Sequence, residues 1–159
     1  GVVAEHGAAV QRVAASYERD PSLCEDLTQD MLVAIWKAMP RFRGEASTRT
    51  FILRIAHNRG ATHAMRQANR PDSTPDMPNL PNPEGSALDG AQRLEQAGHL
   101  LDAVRGLPIG QRQIVTLALE GLSYAEMAEV LDISSNLVGV RLNRARAALS
   151  KQLSEETTA

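Results

Sequence analysis

Five of the eight prolines in this chain crowd between Pro71 and Pro83, in the run RPDSTPDMPNLPNPEGSALDG, where no apolar period survives. Each proline fixes φ, removes a backbone donor and pushes the residue before it out of the helical region. Neither a helix nor a central strand crosses such a run, so the 159 residues read as two small domains. The expected division is a helical unit over 1–70, a flexible linker over 71–90 and a second helical unit over 91–159. At about 3.1 Å per residue for a proline-rich segment, some twenty residues can hold two units up to roughly 60 Å apart. Asp72, Asp76, Glu84 and Asp89 make the linker acidic. It either mimics nucleic acid over a basic groove or is simply solvated, as charged linkers usually are.

Beyond the linker, a helix expected from about Gly90 to Arg105 leads into Leu107–Leu153, which reads as a helix-turn-helix. LPIGQRQIVTLAL breaks at Glu120-Gly121-Leu122, and Ser123 followed by Glu126 is a capping box, so a helix begins at Tyr124. Met127, Ala128 and Leu131 give that helix one apolar face and send Glu126 and Glu129 outward. After the short break Asp132-Ile133-Ser134, Val138, Leu142, Ala145 and Leu149 form one narrow buried stripe. Asn136, Val140, Asn143 and Arg144 therefore face out, with Arg141 on one shoulder and Gly139 and Arg146 on the other. Arg pairs with phosphates or with guanine, and Asn reads adenine, so this face suits a major groove. The bland alternative is a solvated charged face, and the tight turn before the helix weighs against it. The tail from Ser154 is expected to fray.

In the first unit, Val10, Val13, Ala14 and Tyr17 mark a helix that Asp20-Pro21 stops. Ser22 and Glu25 suggest a second capping box opening a helix to Pro40. Leu23, Leu27, Met31, Ala34 and Ala38 form its inward stripe, and Gln29, Leu32 and Trp36 point the other way. Leu32 and Trp36 either pack on a neighbouring helix or form a partner-binding patch. A basic turn, Arg41 to Ala46, precedes a long helix from Thr48 to about Ala68, capped by Ser47 or Thr48. From Arg41 to Arg70 there are seven arginines and one acid, Glu45, the local footprint that nucleic-acid binding asks for. Phe42 is placed to stack on an unpaired base; Phe51 reads as core.

The remaining composition narrows the field. A net charge of −2 and a pI near 6.1 are unlike a chain that grips DNA strongly by itself. Any DNA contact is therefore local or assisted by a partner. The single cysteine, Cys24, forbids an internal disulfide and suits a reducing cytoplasm. No apolar run is long enough to span a membrane. The four histidines have no metal-ligand spacing with Cys24, and there is no glycine-rich phosphate loop, so neither a catalytic residue, a metal nor a cofactor is expected. His57 and His63 read as surface residues.

Two stretches carry a resemblance. EDLTQDMLVAIWKAMPRFRGEASTRTFILRIAHN, Glu25 to Asn58, resembles the second conserved region of bacterial extracytoplasmic-function sigma factors of the sigma-70 family. LPIGQRQIVTLALEGLSYAEMAEVLDIS and VRLNRARAAL, within Leu107 to Leu149, resemble the fourth. The resemblance implies an all-α fold of two small helical domains joined by the linker, and a promoter-specificity subunit of RNA polymerase. It places Asp26, Gln29, Asp30, Leu32 and Trp36 against the clamp helices of the polymerase large subunit. Phe42, Arg43, Phe51, Asn58, Arg59, Thr62 and Arg66 would take the −10 promoter element as a single strand. Asn136, Leu137, Gly139, Val140, Arg141, Asn143 and Arg144 would meet the −35 duplex. An anti-sigma factor covering Gln29, Leu32 and Trp36, or wedged between the units, is a further expected partner. Three positions depart from the family pattern: Phe51 stands where Trp is usual, Gly139 where Lys or Arg is usual, and Val140 where a small hydroxyl residue is common. The competing function is a stand-alone helix-turn-helix regulator that does not join polymerase.

Overall fold

A computed structural model describes residues 2–68 and 98–158, with side chains over 5–68 and 98–154. The linker expected over 71–90, and the start of the helix expected from Gly90, lie outside the described residues. Helix α1 is Val2–Tyr17 and α2 is Pro21–Ala38, followed by a 3-10 turn, Met39–Arg41. Helix α3 is Thr48–Ala68, α4 covers 98–105, α5 is Ile109–Leu119, α6 is Tyr124–Leu131 and α7 is Ser135–Thr158. Among the described residues there is no strand, and the all-α expectation holds.

Local chemistry explains most of these boundaries. Pro21 occupies the first turn of α2, where its missing N–H is no loss, and Asp20 Oδ1 accepts from the Ser22 N–H at 3.0 Å. That corrects the Ser22/Glu25 box, because Asp20 already holds the N–H that the box needs. Ser47 Oγ accepts from the Thr50 N–H at 3.1 Å and starts α3. The Ser123/Glu126 box is present as expected. Asp132 closes α6 with φ 54°, a left-handed conformation that Asp tolerates better than most residues. No proline or glycine interrupts the end of α7, and it runs to Thr158 rather than fraying at Ser154.

Val10, Val13, Ala14 and Tyr17 of α1 are buried, as their spacing requires. In α2 the buried stripe is Leu27, Thr28, Met31 and Ile35, rotated from the expected one. Thr28 tolerates burial because its hydroxyl donates to the Cys24 carbonyl at 2.8 Å. Ala34 and Ala38 sit at the edge of the core, Leu32 is half-buried against it, and Trp36 is 73% exposed. Helix α3 buries Ile52, Leu53, Ala56, His57 and Gly60. His57 is thus a core residue rather than a surface one, and His63 is half-buried against Glu18, Nε2 to Oε1 2.7 Å.

The two halves share one apolar core, running from Val10 and Met31 through Ile52 to Ile114, Met127 and Leu142. Helix α3 packs on α6 and α1 on α5. A second, smaller core joins Val104 and Leu107 to Val115 and Ala145. Polar contacts line the seam between halves. Arg12 forks onto Glu120, with Nη2 to Oε2 at 2.9 Å, and Arg105 Nε donates to the Ala15 carbonyl at 2.8 Å. Tyr17 is the node: its hydroxyl meets His57 Nδ1 at 2.8 Å, and the Arg112 guanidinium of α5 lies 5.7 Å from its ring centroid.

Candidate nucleic-acid interface

In the second unit, α5, α6 and α7 hold one another through Ile114, Leu117, Met127, Val130, Val138 and Leu142. Burying that side of α7 leaves Asn136, Leu137, Val140, Asn143 and Arg144 exposed on the other. Arg141 is half-buried, its guanidinium 3.4 Å from the place a Cβ on Gly110 would take, so α5 fixes its direction. Gly139 lies beside Tyr124, whose Cε2 is 3.5 Å from where a side chain at 139 would begin. That spacing is ordinary contact, so nothing in the packing demands glycine there. Tyr124 is 45% exposed and brings a phenol to the edge of the α7 face. Only its place at the start of the first of the two crossed helices hinted at this.

In the first unit, the basic turn folds back onto α3. Phe42 and Phe51 meet with ring centroids 4.9 Å apart, which holds the turn to the helix. Around them lies a cavity of about 150 Å³ lined by Arg41, Phe42, Arg43, Glu45, Ala46, Phe51 and Arg54. Phe42 and Phe51 therefore act as one half-buried aromatic wall, and Phe51 is a floor residue rather than an isolated core residue. Arg54 completes this wall, although sequence spacing gave it no special role.

Farther along α3, Asn58, Arg59, Thr62 and Arg66 are exposed. Arg59, Thr62, His63 and Arg66 face Asp26 and Asp30 of α2 across a cleft of about 170 Å³. Arg59 Nε stands 3.9 Å from Asp30 Oδ2, and Thr62 turns its hydroxyl back to the Asn58 carbonyl at 3.0 Å. Acid on α2 and base on α3 thus share one cleft. Gln29 and Trp36 lie on the outer side of α2, where Trp36 is a large exposed ring with no described covering. Among the described residues no group of His, Cys, Asp or Glu is arranged to hold a metal, and no helix is long and apolar enough to cross a membrane.

A helical unit with a basic aromatic cavity thus stands next to a helix-turn-helix whose second helix exposes Asn136, Asn143 and Arg144. Residues 2–70 match the family profile of sigma-70 region 2, and residues 98–149 match that of sigma-70 region 4. The ECF RNA polymerase sigma-E factor of Escherichia coli (strain K12) is 28% identical over 142 residues, covering 80% of this chain and 72% of that protein. Its counterpart in Haemophilus influenzae is also 28% identical, with 73% of that protein covered. The solved structure of CnrH in complex with the cytosolic domain of CnrY superposes with a TM-score of 0.70 at 30% identity, over 96% of this chain and 85% of that one. The sigma factor RpoE of Bartonella quintana, solved with the anti-sigma factor NepR, shares the fold, with a TM-score of 0.70 at 20% identity and coverage of 96% and 94%. The chain belongs to the sigma-70 family, in its extracytoplasmic-function group, and is an RNA polymerase sigma factor.

Proposed function

We propose a division of labour between the halves, with the unit over 1–70 taking the −10 element as a single strand and the unit over 91–159 taking the −35 element as duplex. The linker over 71–90 spans the gap. The cavity beside Phe42 carries this reading. An unpaired base is held by stacking and edge hydrogen bonds, and a hollow walled by two rings and rimmed with arginine offers both. Arg43 rims that hollow, Asn58, Arg59, Thr62 and Arg66 continue the strand's path along α3, and Asn136, Leu137, Gly139, Val140, Arg141, Asn143 and Arg144 meet the duplex. Polymerase supplies the chemistry, so the chain itself needs no catalytic group, and its place of work is the cytoplasm.

Asp26, Gln29, Asp30, Leu32 and Trp36 dock α2 on the clamp helices of the polymerase large subunit. Trp36 is the anchor, since exposed aromatics dominate interface energies. Trp36→Ala is expected to weaken core binding by about 2 kcal/mol or more, roughly thirtyfold or more in Kd, with the melting temperature unchanged. A titration of labelled core enzyme measures it. An anti-sigma factor covering Gln29, Leu32 and Trp36 would compete for the same face.

At the other end, Arg144→Ala is expected to lower promoter use by about 5- to 100-fold, the worth of one good base or phosphate contact. Gln152→Ala, on an exposed position farther along α7, leaves promoter use unchanged. Run-off transcription with each variant measures the difference, and equal effects from both would remove the groove assignment. A stand-alone regulator would retard promoter duplex in the absence of polymerase; the reading here expects retardation only once core enzyme is added.

A further inference from the structure

The seam between the halves does not close along its whole length. Where α1 passes α4 and the end of α5 there is a cavity of about 310 Å³, about twice that beside Phe42. Ala15 of α1, Leu100, Leu101 and Val104 of α4 and Leu119 of α5 form its walls, and Leu119, 66% exposed, stands at the mouth. The Arg12–Glu120 fork borders it. The Arg105 bond to the Ala15 carbonyl ties α4 to α1 at the wall itself, so the helices are held at a fixed spacing rather than collapsed together.

The lining dictates what fits. Its two charges, Arg12 and Glu120, neutralise each other, so a charged ligand would lose its hydration there and gain no free partner. The other polar groups are the hydroxyls of Ser16 and Thr116, both buried. Each donates its proton within its own helix, Ser16 to the Val13 carbonyl at 2.6 Å and Thr116 to the Arg112 carbonyl at 2.7 Å. What they have left to offer is a lone pair. Ligand sites are concave and mostly apolar, favour boundaries between units, and are oriented by a few polar groups. An apolar cavity of about 150 Å³ takes one benzene ring. This one has room for about two.

We propose that the cavity is a binding site for a small uncharged molecule of about two fused rings with one N–H or O–H donor, and that its occupant clamps the halves together. One wall belongs to the first unit and the others to the second, so the site exists only while the halves are joined. The clamping role rests on the division of labour proposed above. The two promoter elements lie about 25 base pairs apart by their numbering, about 85 Å at ~3.4 Å per pair, whereas a compact chain of this length has a radius of gyration of about 15 Å. An occupant that holds the halves together therefore withdraws the chain from promoters.

The test titrates the full chain by calorimetry with indole, a neutral two-ring probe with one N–H. A dissociation constant on the order of 0.1–1 mM is expected for about nine non-hydrogen atoms. 1-Methylindole, which lacks the donor, should bind about two- to tenfold more weakly, the worth of one hydrogen bond. Ser16→Ala with Thr116→Val should erase that preference, and a wild-type chain without it would overturn the ligand class. Ala15→Leu fills the site from α1 while keeping the carbonyl that Arg105 uses, and should weaken indole at least about tenfold. Leu101→Ala, on the α4 wall, should weaken it as well, so a folding defect in one variant does not decide the outcome. Met65→Ala, at an exposed apolar residue elsewhere on α3, should leave binding unchanged. The melting temperature of the wild-type chain should rise with indole concentration. No heat of binding, or binding that neither wall variant weakens, would overturn the site. Run-off transcription with limiting chain should fall by up to about tenfold at indole ten times its dissociation constant, and should not respond to indole with Ala15→Leu. Indole binding with undiminished transcription would overturn the clamp alone. A chain that initiates nowhere, with indole or without, would remove the division of labour, and the calorimetry would still judge the site.

Discussion

Gly60→Ala is expected to cost about 2–3 kcal/mol or more of folding stability, a large share of the 5–15 kcal/mol that holds an ordinary domain. A Cβ at position 60 would lie 2.3 Å from Tyr17 Cδ2 and 2.4 Å from Cε2. The ring cannot swing aside, because its hydroxyl is bonded to His57 Nδ1 and Arg112 lies against its face. Relief therefore requires α1 and α3 to move apart, and with them the surface that carries Phe51, Asn58 and Arg59. Alanine's better helix propensity offsets only about 1 kcal/mol. Gly7→Ala is the matched control: no atom lies within 4 Å of a Cβ there, and the same propensity should stabilise the chain by about 0.5–1 kcal/mol. Urea unfolding midpoints of the two variants should move in opposite directions.

The second large effect is acid sensitivity. His57 is fully buried, and desolvation pushes its pKa down to about 3 from an ordinary 6.5. Above pH 6.5 neither the folded nor the unfolded chain carries this proton, and the stability from keeping the ring neutral is fully present. Between pH 6.5 and about 3 the unfolded chain takes the proton and the folded chain does not. Stability then falls by about 1.4 kcal/mol per pH unit, a total of about 4–5 kcal/mol across the window. Carboxylates add their own slope at the acid end: Glu126 is held below the usual range by the Ser123 backbone N–H and by Arg49. The difference between wild type and His57→Gln isolates the histidine. Chemical denaturation from pH 7.5 to 4 should show the variant lacking about one proton's worth of slope below pH 6.5, and parallel curves would contradict the assignment.

Short-range chemistry was legible before any coordinates. The Ser123/Glu126 box, the break at Asp132 and the stripe of Val138, Leu142 and Ala145 each depend on residues within a few turns, and each is where spacing puts it. Metal-ligand spacing, which His57 lacks, carries no information on whether the ring is buried. Its position in the row Leu53, Ala56, His57, Gly60, at i, i+3, i+4 and i+7, is a buried stripe and was the available signal. The register of α2 differs for a related reason: Thr28 joins the buried stripe although it is polar, because its hydroxyl is satisfied within the helix. What the sequence could not convey is the seam. Arg49 meets Glu126 across 77 positions and Arg54 meets Glu129 across 75, and no local pattern pairs them. The proline run argued for two separate cores, whereas the described helices share one; a linker permits separation without enforcing it.

The central claim is that this chain gives core polymerase a choice of promoter while contributing little DNA affinity alone. Its most direct measurement is transcription by core polymerase on genomic fragments, with and without the purified chain, mapped at the 5′ ends of the products. New, discrete start sites are expected only when the chain is present, and the chain is expected to co-migrate with core enzyme on a sizing column. Products unchanged by the chain, together with no co-migration, would contradict it.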